Sequence, residues 1–235
     1  MLSIARGVRL ALTIAAVLAA ALPIPGRLSA QEASAFPTED GGRVSADVYG
    51  GGPRGVVLAH GGRFDKESWR SQAQALAEAG FRVVAIDFRG YGQSRGGDRL
   101  PPADDGFRYD VLAAVRYLRE TGATTVAVIG GSMGGTAAAE AAAAAPGTID
   151  RLVLLAHGAI AHPERVTGRT LFVTARDDPY ADGSPRLVTI RAQYERTLAP
   201  KELLILDGSA HAQLLFDTDQ GERLMTEILR FLSEP

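Results

Sequence analysis

The 235-residue chain is 46% hydrophobic and 22% charged, with 27 glycines, 12 prolines and no cysteine, a length that allows one full domain with a real core and little more. Its 25 Lys and Arg against 27 Asp and Glu leave a formal charge of -2, without the basic surplus that drives nucleic-acid binding, so no nucleic-acid partner is expected. The missing cysteine excludes disulfides, thiolate metal sites and a cysteine nucleophile, while the apolar content excludes disorder and no repeat of about 20 to 50 residues suggests a solenoid or propeller.

In chain order, Arg6 and Arg9 precede an uncharged run over 10–26 that Pro23 and Pro25 close. A basic start, an apolar middle and a small-residue exit are the layout of a secretory signal. The run is shorter than the ~20 apolar residues of a membrane span. Residues 1–30 are therefore expected to be a signal peptide, and residues 31–235 a single domain, exported to the periplasm or secreted, with no stable membrane span after cleavage. Ala30 is the preferred cleavage point and Ala33-Ser34-Ala35 a second small-x-small site. The alternative is an uncleaved N-terminal anchor.

Residues 43–49 alternate polar and apolar after Asp40-Gly41-Gly42 and predict an early edge strand. Short continuous apolar runs at 55–59 and 82–86 predict buried strands, with helical composition over 67–79 between them, ended by Gly80. The alternation continues with a helix over about 105–121, a strand at 125–129, a helix over 133–145 and a strand at 152–155. A strand at 171–174, a helix near 185–198, a strand at 202–206 and a closing helix over 220–232 complete it. Fully apolar strands alternating with helices predict an α/β fold, a mostly parallel central sheet with helices on both faces. Functional residues then belong where strands end.

Four strand ends carry such residues. Val126-Ala127-Val128-Ile129 runs through Gly130-Gly131-Ser132-Met133-Gly134 into a helix. A serine on a sharp strand-to-helix turn is presented to substrate, and Gly130 and Gly134 relieve the crowding that a Cβ would cause. The following helix aims its N-terminal amides at the same point. Read blandly, this is a glycine-rich turn without chemistry. A serine nucleophile needs a histidine and an orienting carboxylate. His211 follows the strand at 202–206 by a short loop and is the candidate base; His60 is expected to shape its turn, and His157 and His162 to play lesser roles at the rim or in a loop. Asp177 and Asp178 end the strand at 171–174, and Asp178 is preferred because an acid before Pro179 fits the turn there, with Asp182 and Asp207 as substitutes. An oxyanion needs two donors. The Met133 amide supplies one and the Gly62 amide, from His60-Gly61-Gly62-Arg63, the other, with Arg63 second.

Together these residues resemble the α/β-hydrolase family from about residue 55 to 232. His60-Gly61-Gly62 is similar to the family's oxyanion loop, Asp87-Phe88-Arg89-Gly90-Tyr91-Gly92-Gln93-Ser94 to its DxRGxGxS segment, and Ser132 to its nucleophile elbow. Asp178, three residues after Ala175, matches the family acid, and the order Ser132, Asp178, His211 is the family's. The resemblance implies an acyl-enzyme on Ser132, a small-molecule acyl substrate, and no metal or organic cofactor. Many relatives insert a lid before the strand that precedes the acid, but here only residues 159–169 are available, so no cap domain and an open, shallow cleft are expected. Arg63 and the arginines over 89–99 are candidates to attract an anionic substrate, scattered surface arginines being the commoner explanation. Cleavage of carboxylic esters or thioesters is the first reading, amidase or peptidase activity with the same triad an alternative, and a non-catalytic binding protein on the same fold another. A nucleotide-binding reading fails because the GxGxxG spacing breaks at Arg95 and the turn at 129–135 has no lysine.

Overall fold

The computed structural model describes residues 31–99 and 106–234. The expected signal peptide at 1–30 lies outside the described residues, as does the expected helix start at Asp105. Among the described residues no helix is long and apolar enough to cross a membrane.

Val56, Val57, Leu58 and Ala59 are all fully buried, as are Val83, Val84 and Ile86. Successive residues on a strand face opposite ways, so such runs need cover on both sides of the sheet. The structure supplies it. Eight strands form one sheet: β1 (Glu32–Pro37), β2 (Arg43–Gly50), β3 (Arg54–Ala59), β4 (Arg82–Ile86), β5 (Thr125–Gly131), β6 (Arg151–Leu155), β7 (Arg169–Ala175) and β8 (Lys201–Leu206). Their spatial order is β1-β2-β4-β3-β5-β6-β7-β8. β1 and β2 join antiparallel and β2 joins β4 antiparallel, whereas every pair from β4 to β8 is parallel.

The helices are α1 (Arg70–Glu78), α2 (Phe107–Glu120), α3 (Met133–Ala144), α4 (Arg186–Arg196) and α5 (Gly221–Ser233). Val57, Val84, Val128 and Phe172 pack with Val115 of α2, Ala138 of α3 and Ile190 of α4. Val56, Val83, Ile129 and Val173 pack on the opposite face with Leu76 of α1 and Ile228 and Phe231 of α5. Each such Val, Leu, Ile or Phe contributes about 1.5–3 kcal/mol when fully buried. The alanines of α3 serve approach rather than area: Ala137, Ala138, Ala139, Ala141 and Ala142 are all buried, because α3 packs on β5 and β6 and against α2 beside it.

Two expectations are corrected. Residues 43–49 are not an edge strand, since β2 pairs on one side with β4 and on the other with β1. β1 escapes the sequence pattern because Phe36 is its one buried residue. The helix expected over 67–79 begins instead as a single 3-10 turn, Lys66–Trp69, capped by the Asp65 carboxylate accepting from the Glu67 amide, and becomes α-helical only at Arg70. The expected absence of a cap is observed where the chain had least room for one: between β6 and β7 there is only a loop with one 3-10 turn, Pro163–Arg165.

The segment after β4 is structural. Arg89 is 8% exposed, and its guanidinium donates to Asp40 at 2.7 Å and to Asp110 at 2.7 Å. Burial by itself raises the Asp40 carboxyl, but the hydrogen bond and charge of Arg89 outweigh it and hold it down to about 2. Arg95 and Arg99 donate to backbone carbonyls. Arg89 therefore keeps its charge inside the protein, tying the turn between β1 and β2 and the 87–99 segment to α2, while Arg95 and Arg99 are exposed.

Candidate active site

The turn from β5 into α3 sets the site. Ser132 has φ 50° and ψ -112°, a conformation that costs an L-residue about 1–3 kcal/mol. Its amide donates to the Leu155 carbonyl at 2.8 Å, which docks the turn on β6. A Cβ at Gly130 would lie 2.3 Å from the Gly134 carbonyl oxygen, and one at Gly134 would lie 2.3 Å from that of Ala59. Both positions are closed to any side chain, so α3 starts hard against β3 and β5 with its first amides beside Ser132.

β7 and β8 bring the other two groups to the same edge. His211 Nε2 lies 2.9 Å from Ser132 Oγ, and His211 Nδ1 lies 2.7 Å from Asp178 Oδ2. A carboxylate only accepts, so Nδ1 carries the proton and Nε2 is left to accept from the serine hydroxyl. Asp178 is buried at 1% exposure, whereas Asp177, Asp182 and Asp207 are exposed. Asp182 caps its own turn through Ser184, and Asp207 pairs with Arg176.

Asp178 has a further partner that the sequence reading missed. Arg186 Nε donates to the same Oδ2 at 3.0 Å, its amide donates to the Asp178 carbonyl at 3.0 Å, and its guanidinium stacks on the Tyr180 ring at 4.0 Å. The segment from 178 to 186 folds back on itself through a Pro179–Pro185 bridge, which returns Arg186 to the acid. No spacing rule announces this pair. The buried carboxylate thus has a cation and an imidazole N–H around it, as a desolvated charge requires.

The loop after β3 closes the third side. The Gly61 amide is taken by Gln213 Oε1 at 3.0 Å, and the Gly62 carbonyl accepts from Tyr91 Oη at 2.9 Å. Among the described residues the amides of Gly62 and Met133 have no acceptor, and the Met133 side chain borders Gly62. The cleft beside Gly62 and Ser132 holds about 480 Å³ and is lined largely by apolar groups, among them Phe64, Pro179, Tyr180 and Leu214, together with Arg63. Leu214 is 46% exposed there.

The remaining histidines stay outside this chemistry. His60 is fully buried; Nδ1 donates to the Gly61 carbonyl at 2.8 Å and Nε2 accepts from the Phe88 amide at 3.1 Å. Burial pushes it below the ordinary imidazole value, so it is a neutral brace for the loop, as expected. His157 is buried rather than at the rim. Its Nδ1 donates to the Gly158 carbonyl at 2.7 Å, its Nε2 has no partner among the described residues, and burial pulls it down from 6.5 to about 4. His162 is exposed and meets Glu164. Among the described residues no group of three or more His, Asp or Glu is placed to hold a metal.

Comparison with known proteins agrees with this architecture. The family model described as alpha/beta hydrolase fold matches residues 55–207. The chain is 33% identical over 149 residues to the bifunctional epoxide hydrolase 2 of Sus scrofa, covering 63% of this chain and 22% of that protein. It is 32% identical over 215 residues to the dihydrolipoyllysine-residue acetyltransferase component of the acetoin cleaving system of Cupriavidus necator, covering 89% of this chain and 51% of that one. The chain thus spans from about a fifth to half of these relatives. Among solved structures, the Pyrococcus furiosus esterase Pf2001 superposes with a TM-score of 0.73 at 18% identity, covering 87% of this chain and 91% of that one, a likeness of fold.

Two outcomes test this geometry. Gly134→Ala drives a Cβ into the Ala59 carbonyl and is expected to lower stability by about 1–3 kcal/mol or more; an unchanged melting temperature would show that the approach is looser than described. His157 binds a proton near pH 6.5 when unfolded but only near pH 4 when folded, so the unfolded state binds more protons between these values. Stability is full above pH 6.5 and falls toward pH 4, by up to about 3 kcal/mol from this group. Urea unfolding from pH 7 to 4.5 should show a shallower fall in His157→Gln than in the parent; parallel curves would count against it.

Proposed function

The chain belongs to the α/β-hydrolase family, and on that premise we propose that it is a serine hydrolase of carboxylic esters, thioesters included. The observation that carries the reading is the unbroken series of short contacts from Asp178 through His211 to Ser132, at 2.7 and 2.9 Å. Ser132 Oγ attacks the acyl carbonyl carbon as His211 Nε2 takes its proton, giving a tetrahedral intermediate. The amides of Gly62 and Met133 donate to its oxyanion, where aligned donors are worth about 3–4 kcal/mol each. His211 returns the proton to the leaving alcohol or thiol, and the acyl group remains on Ser132. Water, deprotonated by His211, then attacks the acyl carbon and frees the acid. Asp178 holds the imidazole in the required tautomer and stabilises its charged form, and Arg186 holds the Asp178 carboxylate in place.

The apolar lining and the lack of a cap between β6 and β7 favour small or extended acyl groups in an open cleft, without activation at a lipid interface. Export through residues 1–30 remains part of the proposal. Its support is the start of β1 at Glu32: cleavage after Ala30 leaves that strand whole, whereas cleavage after Ala35 removes residues that pair with Ser45 to Val48.

A fluorophosphonate probe is expected to modify Ser132, as mapped by peptide mass spectrometry. Labelling is abolished in Ser132→Ala, and ester turnover falls by about 10³–10⁴-fold or more in His211→Ala. A parent protein that neither reacts with the probe nor cleaves a short-chain ester would overturn the reading in favour of a binding protein. N-terminal sequencing of exported protein is expected to begin at Gln31; a start at Phe36 or an intact Met1 would refute the Ala30 cut.

A further inference from the structure

Gln213 follows His211 by two residues and is buried at 6% exposure. Its side-chain amide spans the gap between the loop that carries His211 and the loop after β3. Oε1 accepts from the Gly61 amide at 3.0 Å, and Nε2 donates to Ser68 Oγ at 2.9 Å. Ser68 passes its own proton to the Asp65 carbonyl at 2.6 Å, so the orientation of the Gln213 amide is settled: its oxygen must face the Gly61 N–H. A Cβ on Gly131, the residue before Ser132, would fall 2.6 Å from that same Oε1. One side chain therefore touches the elbow, the loop after β3 and the 3-10 turn ahead of α1.

We infer that Gln213 is a positioning residue for the oxyanion site, an inference that rests on the hydrolase reading above. By taking the Gly61 N–H it fixes the orientation of that peptide, and the next amide, Gly62, is the one left facing the cleft without an acceptor. Tyr91 holds the peptide on the other side of the Gly62 N–H through the Gly62 carbonyl. The positive φ of Ala212, 52°, separates the two functions of this short stretch, with His211 directed to Ser132 and Gln213 to Gly61. Gln213 touches neither substrate nor reacting atoms. Its effect reaches catalysis through the placement of the Gly62 donor relative to the nucleophile.

The test is steady-state kinetics with a short-chain ester on the full chain. Gln213→Met keeps length and volume but neither hydrogen bond, and is expected to lower kcat by about 10- to 100-fold while KM moves less than about threefold, the pattern of a donor used in the transition state. A kcat within about twofold of the parent, or a loss that appears in KM rather than in kcat, would overturn the proposal. Should Gln213→Met fail to fold, Ser68→Ala removes one of the two ties and decides the matter: a fall of about two- to fivefold in kcat at constant KM supports the role, and an unchanged kcat overturns it. A parent enzyme inert toward esters and probe refutes the hydrolase reading itself, whereas an active parent with a fully active Gln213→Met refutes this inference alone.

Discussion

The backbone at Ser132 is the constraint from which the site is built. A residue at φ 50° and ψ -112° persists only if its surroundings permit nothing else. Here Gly130 and Gly134 lie so close that neither admits a side chain, and the Ser132 amide is secured to Leu155. The neighbouring strand repeats the device: Ala156 just after β6 has φ 47° and donates its amide to Val173 of β7 at 2.7 Å. Strain is thus concentrated along the ends of β5 and β6, and the sheet, with its two covered faces, supplies the rigidity that holds it. The hydroxyl stands out from the sheet edge because the peptide on either side has no other path.

Electrostatic placement is equally selective. Asp178 is buried but surrounded by Arg186 and His211, so its charge is kept inside the protein without being left alone. His60 and His157 both direct Nδ1 to the carbonyl of the following glycine, and burial pulls both below the ordinary imidazole range. They act as neutral struts at the ends of β3 and β6. Arg89, in a segment otherwise suited to meeting ligands, spends its charge on Asp40 and Asp110. The cleft is left with one imidazole, the uncommitted Gly62 amide, the Arg63 side chain and a mostly apolar wall.

Much of this was legible in the sequence. The parallel strands announced themselves because burial on both faces demands unbroken apolar runs, and the elbow because only glycine fits at positions 130 and 134. Asp178 was separable from Asp177 by the proline that follows it. The unread parts share a physical cause: their partners are distant or their signal is weak. β1 has one buried side chain, Phe36, and a run of small residues that also suits a cleavage site. Arg186 reaches Asp178 only because 178–186 doubles back, and Gln213 meets Gly61, 152 positions away, only because β3 and β8 end at one edge. Periodicity carries no record of such meetings.

Those separations also govern when Ser132 and His211 come together. Ser132 and His211 are 79 positions apart, and closing loops of that length is the slow part of building a fold. Synthesis proceeds from the N-terminus, so a growing chain acquires its elbow long before its imidazole. Until β8 and the turn beyond it are laid down, Ser132 lacks the imidazole that it meets in the folded chain. On the proposed mechanism, recovery of ester hydrolysis during refolding therefore marks the docking of the C-terminal segment that carries His211.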